Sequence, residues 1–135
     1  MVDDSKIAPG EFRDIPKKWS PENSDGEYNG PQPAAIGLIK SRNTMSVRVG
    51  EFAGLSRVRQ LGLAADVSDK IPELPVVFLG GFETSVRDLT AAYTILPNLG
   101  TYRKSHLISL VEDRDGRVLY KPDQTENRVV SPSSA

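Results

Sequence analysis

The sequence predicts an α+β chain in which helices come first and a single β-hairpin comes last. Apolar residues recur at helical spacing through residues 34–96, and two short apolar runs then flank Asp113-Arg114-Asp115-Gly116, a strong hairpin signal. Ten prolines and eleven glycines among 135 residues argue for short elements and many turns rather than a long bundle. One hairpin is marginal alone and needs further strands or a packed helix. The pattern therefore reads as an incomplete architecture, the mainly helical part of an α+β fold.

Residues 1–33 lack periodic hydrophobics and are rich in Pro, Gly, Asp and Asn, so they read as a loop-rich arm. The one strand expected there lies near Glu11-Phe12-Arg13-Asp14-Ile15, and Phe12, Trp19 and Tyr28 argue that the arm docks. Pro33 opens a first helix with Ala34, Ala35, Leu38 and Ile39 as its stripe, ending near Lys40. A second runs over residues 44–53, with Asn43 at its N-cap and Met45, Val49 and Phe52 on one face. Gly54 ends it. Leu55, Val58 and Leu61 then mark a third helix that stops at Gly62.

Residues 64–75 form a connector, and Val76-Val77-Phe78-Leu79 reads as a buried strand or extended segment before Gly80-Gly81. Ser85 caps a fourth helix whose stripe is Val86, Leu89, Ala92, Tyr93 and Leu96, closed by Pro97. The hairpin occupies residues 106–120, and residues 121–135 read as a loop tail.

A hydrophobic share of 38% and a charged share of 26% suit a soluble globular domain, or a piece of a larger one. The net charge of −1, without a basic stripe, gives no reason to expect nucleic acid. No cysteine is present, so disulfides and thiolate metal sites are excluded; a lone histidine, His106, cannot build a multi-histidine metal site and reads as a strand-edge residue. No metal or cofactor is expected. The longest apolar run, residues 74–82, is broken by Pro75, Gly80 and Gly81 and is far short of the roughly 20 residues a spanning helix needs. The acidic N-terminus is no secretory signal.

Chemistry concentrates at Ser41-Arg42-Asn43, between the first two helices. A hydroxyl and a carboxamide two residues apart at a helix break can face one cleft. By itself the tripeptide reads as a helix-end serine and an N-cap asparagine. Its surroundings change the weighting. Trp19, Pro21, Asn23, Asp25, Tyr28, Gly30 and Pro31 precede it in order, Val47-Arg48 follow it, and downstream stand Leu79-Gly80, Glu83-Thr84, Leu89, Ala92-Tyr93, Gly100, Tyr102 and Asp115-Gly116-Arg117-Val118-Leu119-Tyr120.

In order and spacing these residues resemble the transpeptidase domain of penicillin-binding proteins of the bifunctional, glycosyltransferase-bearing class, over about residues 15–120. The resemblance implies a β-lactamase/transpeptidase-like fold and acyl transfer through a serine ester on the D-Ala-D-Ala peptide of a peptidoglycan precursor, outside the cytoplasmic membrane. It implies that Ser41 is the proton-relay hydroxyl of the Ser-x-Asn motif and Asn43 the substrate-binding carboxamide; Arg42, the variable middle position, receives no chemistry. It also implies peptidoglycan stem peptides, β-lactams and the rest of a transpeptidase domain as partners.

Two of the family's three motifs are missing. No serine has lysine three residues later, and no Lys-Ser/Thr-Gly occurs. Pro97-Asn98-Leu99-Gly100 replaces the family's Ala-Asn-Gly-Gly-like helix end. The chain is therefore expected to be an internal slice with one motif of three, with no nucleophile and no acylation activity of its own. The alternative is a free-standing non-catalytic binding module derived from that fold. Glu83 with Asp88 read as solvated charges or a cap contribution rather than as a carboxylate pair, and Asp113 with Asp115 as turn residues rather than as a calcium site.

Overall fold

The structure is a computed structural model, and residues 1–12 and 16–135 are described. It divides into two compact units: Met1–Gln60 with Lys70–Phe82, and Leu61–Asp69 with Glu83–Ala135.

In the first unit the arm is not loose. β1 (Val2–Asp3) pairs antiparallel with β2 (Pro31–Gln32), closing the arm into a loop. The strand expected near residues 11–15 is absent at Glu11 and Phe12, which lie in bends; Arg13, Asp14 and Ile15 lie outside the described residues. α1 (Ala34–Ile39), α2 (Asn43–Ala53) and the start of α3 (Leu55–Ala64) follow. Ile7 and Val47 form the buried centre, with Phe12, Trp19, Phe78 and Leu79 packed on it. Trp19 and Phe12 thus do dock the arm.

The inward faces differ from the apolar stripes. α1 buries only Gly37 and leaves Leu38 and Ile39 in water. A Cβ on Gly37 would stand 3.0 Å from the Met45 side chain, so the two helices touch there through a glycine. α2 buries Thr44, Met45, Val47 and Gly50, while Val49 and Phe52 are exposed. At Gly50 a Cβ would lie 2.3 Å from the Phe78 ring, so only glycine admits that ring. Residues 75–79 are neither strand nor extended: Pro75–Leu79 is a 3-10 turn ended by left-handed Gly80. Pro75 sits at its start, where a missing N–H costs nothing.

α3 continues through Gly62 to Ala64. In the second unit, α4 (Val86–Tyr93) starts as expected, Ser85 Oγ accepting from the Asp88 amide at 3.0 Å and donating to its carboxylate at 2.6 Å. β3 (Thr101–Arg103) pairs antiparallel with β6 (Glu126–Arg128), so part of the stretch read as a loop tail is a strand. The expected hairpin is present but short, β4 (Val111–Glu112) with β5 (Val118–Tyr120). Asp113 builds its turn by accepting from the amides of Asp115 and Arg117. His106 is exposed and lies outside every strand, since pairing begins only at Val111. The buried hydrophobic residues described in this unit are small, Ala65, Val67, Ala91 and Ala92, with Tyr102 the largest.

Candidate functional site

The backbone around the Ser-x-Asn tripeptide is dictated by how α1 stops. The Arg42 amide donates to the Gly37 carbonyl at 2.8 Å and the Ser41 amide to the Leu38 carbonyl at 3.2 Å. These are the two bonds of a Schellman end, with Ser41 at the position that must turn left-handed. Its φ is +52°. Glycine is usual there; an L-residue with a side chain gives up roughly 1–2 kcal/mol. The turn leaves Ser41 on the surface with a hydroxyl that has no partner among the described residues.

α2 starts at the third residue of the tripeptide. Arg42 is the residue before its first turn and makes no side-chain cap. Asn43, expected as the N-cap, is the first helical residue, and its Nδ2 donates to the Glu22 carbonyl at 2.8 Å. The capping acceptor comes instead from the arm: Asn23 Oδ1 accepts from the Thr44 amide at 3.3 Å. Asn43 keeps its Oδ1 and a second N–H for other partners.

Arg42, to which sequence assigned no chemistry, is buried and bonded through all three guanidinium nitrogens. Its guanidinium donates through Nε to Asp4 Oδ2 at 2.9 Å, with Nη2 at 2.8 Å from the same oxygen, and through Nη1 to Asp25 Oδ2 at 2.6 Å. It also donates to the Glu27 carbonyl. Asp4, 1% exposed, accepts further from Asn23 Nδ2 at 2.8 Å, Thr44 Oγ1 at 2.6 Å and the Asn29 amide at 3.2 Å. Among the described residues no buried side-chain nitrogen or oxygen lacks a partner. Burial works to raise the Asp4 carboxyl, but the bonds from Arg42, Thr44, Asn23 and the Asn29 amide outweigh it and hold it well below the usual carboxylate range. Arg42 is raised in turn, by its bond to Asp4 first, against the cost of burial, and then by Asp25.

The structure thus leaves Ser41 exposed and Asn43, two residues on, half-buried, while Arg42, Asp4, Asn23 and Thr44 are buried. No short-range signal marks Asp4, because its side-chain partners lie 19 to 40 residues along the chain. Asn23 and Asp25 do belong to the stretch that carried the family resemblance. Beside α1 and α2 lies a groove of about 400 Å³ lined by Leu38, Met45, Val49, Val58 and Phe78. No group of His, Cys, Asp and Glu among the described residues could hold a metal ion. No helix among them is long and apolar enough to cross a membrane.

No protein-family model matches the chain. Curated relatives do. The chain is 35% identical over 108 residues to penicillin-binding protein 1A of Rickettsia bellii, covering 80% of this chain and 14% of that protein. It is 32% identical over 123 residues to penicillin-binding protein 1A of Clostridium acetobutylicum, covering 87% of this chain and 15% of that one. The chain therefore spans about a seventh of the length of these relatives. Among solved structures it resembles the penicillin-binding protein PonA1 of Mycobacterium tuberculosis, at a TM-score of 0.77 and 22% identity, covering 98% of this chain and 38% of that one. PonA1 has also been solved in complex with penicillin V. The fold is that of the helical and hairpin part of a transpeptidase domain.

Proposed function

The chain belongs to the penicillin-binding protein family, as a stretch of its transpeptidase region, and from that premise we propose that it carries the Ser-x-Asn part of a D-Ala-D-Ala transpeptidase site. In this reading a serine and lysine from a Ser-x-x-Lys segment, which this chain lacks, supply the nucleophile. The serine oxygen bonds to the carbonyl carbon of the penultimate D-Ala, and the peptide C–N bond breaks. The terminal D-Ala leaves with a proton that the Ser41 hydroxyl hands on. Asn43 holds the stem peptide through its carboxamide. The parent protein then cross-links peptidoglycan on the outer side of the bacterial cytoplasmic membrane, and β-lactams occupy the same site.

The observation that supports this most is the Ser41 hydroxyl itself, held at a costly left-handed helix end two residues before Asn43 and without a partner among the described residues. Strained positions of this kind concentrate where function needs the side chain. Leu38, Ile39 and Phe52, the last 94% exposed, support the remainder of a transpeptidase domain as the partner of this region.

The test replaces the matched segment of a penicillin-binding protein 1A with that of this chain and follows acylation by a fluorescent penicillin. Ser41→Ala and Asn43→Ala should each slow acylation by about 100-fold. Unchanged rates in both overturn the assignment. The 135-residue chain by itself should take no covalent label, since it holds neither a Ser-x-x-Lys nor a Lys-Ser/Thr-Gly.

A further inference from the structure

We propose that Arg42 is a positioning residue for the Ser41–Asn43 pair, its guanidinium latching the tripeptide onto the arm. The inference rests on the acyl-transfer reading of Ser41 and Asn43 and adds what holds them in place. Three consecutive residues are gripped by one short stretch of the arm. Arg42 is bound by Asp25 and the Glu27 carbonyl, Asn43 by the Glu22 carbonyl, and the Thr44 amide by Asn23 Oδ1. Asp4 ties that grip to the strand pair by taking Arg42, Asn23 and Thr44 at once and by donating its own amide to the Gly30 carbonyl at 2.9 Å.

Packing alone does not require this arrangement. A buried guanidinium must be stripped of water, and an apolar side chain of similar volume fills such a space at lower cost. What a planar fork with three acceptors supplies is a fixed orientation for the backbone that carries it. Here that backbone is the link between a left-handed serine and the first residue of α2. Ser41 has no side-chain bond to any described residue, so the direction of its hydroxyl is set by its neighbour.

Arg48 is the internal control. It also binds the arm, through Glu11 Oε1 at 2.8 Å and the carbonyls of Asp3 and Ser5, but from the second turn of α2 and away from the tripeptide. Loss of either arginine weakens the docking of the arm. Only loss of Arg42 should disturb the turn at Ser41.

Two readouts separate these roles. In the full chain, amide hydrogen exchange followed by NMR should quicken at positions 41 and 42 relative to Val47 by about tenfold or more in Arg42→Met, because those amides make the Schellman bonds. In Arg48→Met all three should change together. In the grafted penicillin-binding protein 1A, Arg42→Met should lower the first-order acylation rate by about tenfold or more, the scale on which misplaced groups act. The penicillin concentration giving half that rate should stay within about twofold, because a positioning residue touches no ligand. Arg42→Lys keeps the charge but loses the fork, and should fall between. An acylation rate for Arg42→Lys equal to that of the unsubstituted graft, or parallel exchange at positions 41, 42 and 47 in Arg42→Met, overturns the proposal. If Ser41→Ala and Asn43→Ala slow the graft while Arg42→Met leaves it unchanged, the positioning role falls and the acyl-transfer reading stands. If neither alanine variant slows it, the acyl-transfer reading fails and this inference falls with it.

Discussion

Two helix ends, one in each unit of the chain, are built in the same way and use the result differently. α1 ends in the first unit with Ser41 left-handed; α3 ends in the second with Asp66 left-handed at φ +53°, the Val67 and Asp66 amides donating to the Gly62 and Leu63 carbonyls. Asp66 spends its side chain at once: its carboxylate accepts from the Tyr102 hydroxyl at 3.0 Å. Ser41 spends nothing. A left-handed aspartate with a buried partner is an ordinary device of folding, whereas a left-handed serine with no partner among the described residues costs stability without visible local return. The contrast extends to how each unit is held. The first relies on a buried ionic hub, Asp4 with Arg42; the second on small apolar residues and one tyrosine, with Leu107, Ile108, Leu119 and Tyr120 all exposed.

The sharpest way to break that contrast is to empty the hub. Asp4→Ala leaves a buried guanidinium and the donors of Asn23, Thr44 and Asn29 short of an acceptor, and should destabilise the first unit by about 3–5 kcal/mol. Denaturant unfolding followed by Trp19 fluorescence reads this, because the chain has one tryptophan and it packs in that unit. A loss below about 1 kcal/mol would mean that the hub is incidental.

Acid and alkali should attack different units. The folded pKa of Asp4 is lowered, so above its ordinary value of 3.8 the carboxylate contributes its full stability, which is lost as pH falls below 3.8 towards the folded pKa. Tyr102 goes the other way: burial, then its bond to Asp66, pushes the hydroxyl from 10.0 up to about 12. The folded state then holds a proton that the unfolded state has lost, so stability from this group is complete below pH 10 and disappears as pH rises towards 12. A pH series monitored by Trp19 emission and by amide signals of β3 should show the acid loss in the first unit and the alkaline loss in the second. The same pH limit for both would remove the distinction.

The parts legible in sequence were those with local causes. Ser85 was readable as a cap because its partner Asp88 is three residues away. Gly54 ending α2 and the turn at Asp113 were readable for the same reason. The 3-10 turn at Pro75–Leu79 was not, since a run of apolar residues has no period to separate strand from helix. Nor was the pairing of β3 with β6, because Thr101 meets Arg128 across an intervening segment that carries the β4–β5 hairpin. The helical stripes gave the helices but not their inward faces: Gly37 and Gly50 are the contacts, and glycine has no side chain to weigh in a pattern. Ser41 and Asn43 stand out in sequence only through their family context. Arg42, as the variable middle position of the motif, carries no assignment in sequence, and only the distant Asp4 makes it a buried anchor.

Removing the Tyr102 hydroxyl is a milder probe of the second unit. Tyr102→Phe keeps the ring and frees Asp66, which is itself exposed, so water replaces the lost donor. The expected loss is about 1 kcal/mol, read from amide exchange in β3, and the alkaline limit near pH 12 should vanish with it. A persisting alkaline limit would assign it to another group.

The smallest effect carries an opposite sign and tests the opening contrast most directly. Ser41→Gly relieves the left-handed strain without removing any hydrogen bond to described residues, and should stabilise the first unit by up to about 1 kcal/mol. Asp66→Gly relieves the same strain but strands the Tyr102 hydroxyl, and should give a net loss in the second unit. Paired unfolding curves, Trp19 emission for the first and exchange in β3 for the second, check both signs. A serine retained where glycine would make a firmer helix end is what a functional hydroxyl demands. If Ser41→Gly destabilises the chain instead, the hydroxyl has a structural partner and the case for holding it in reserve for chemistry is lost.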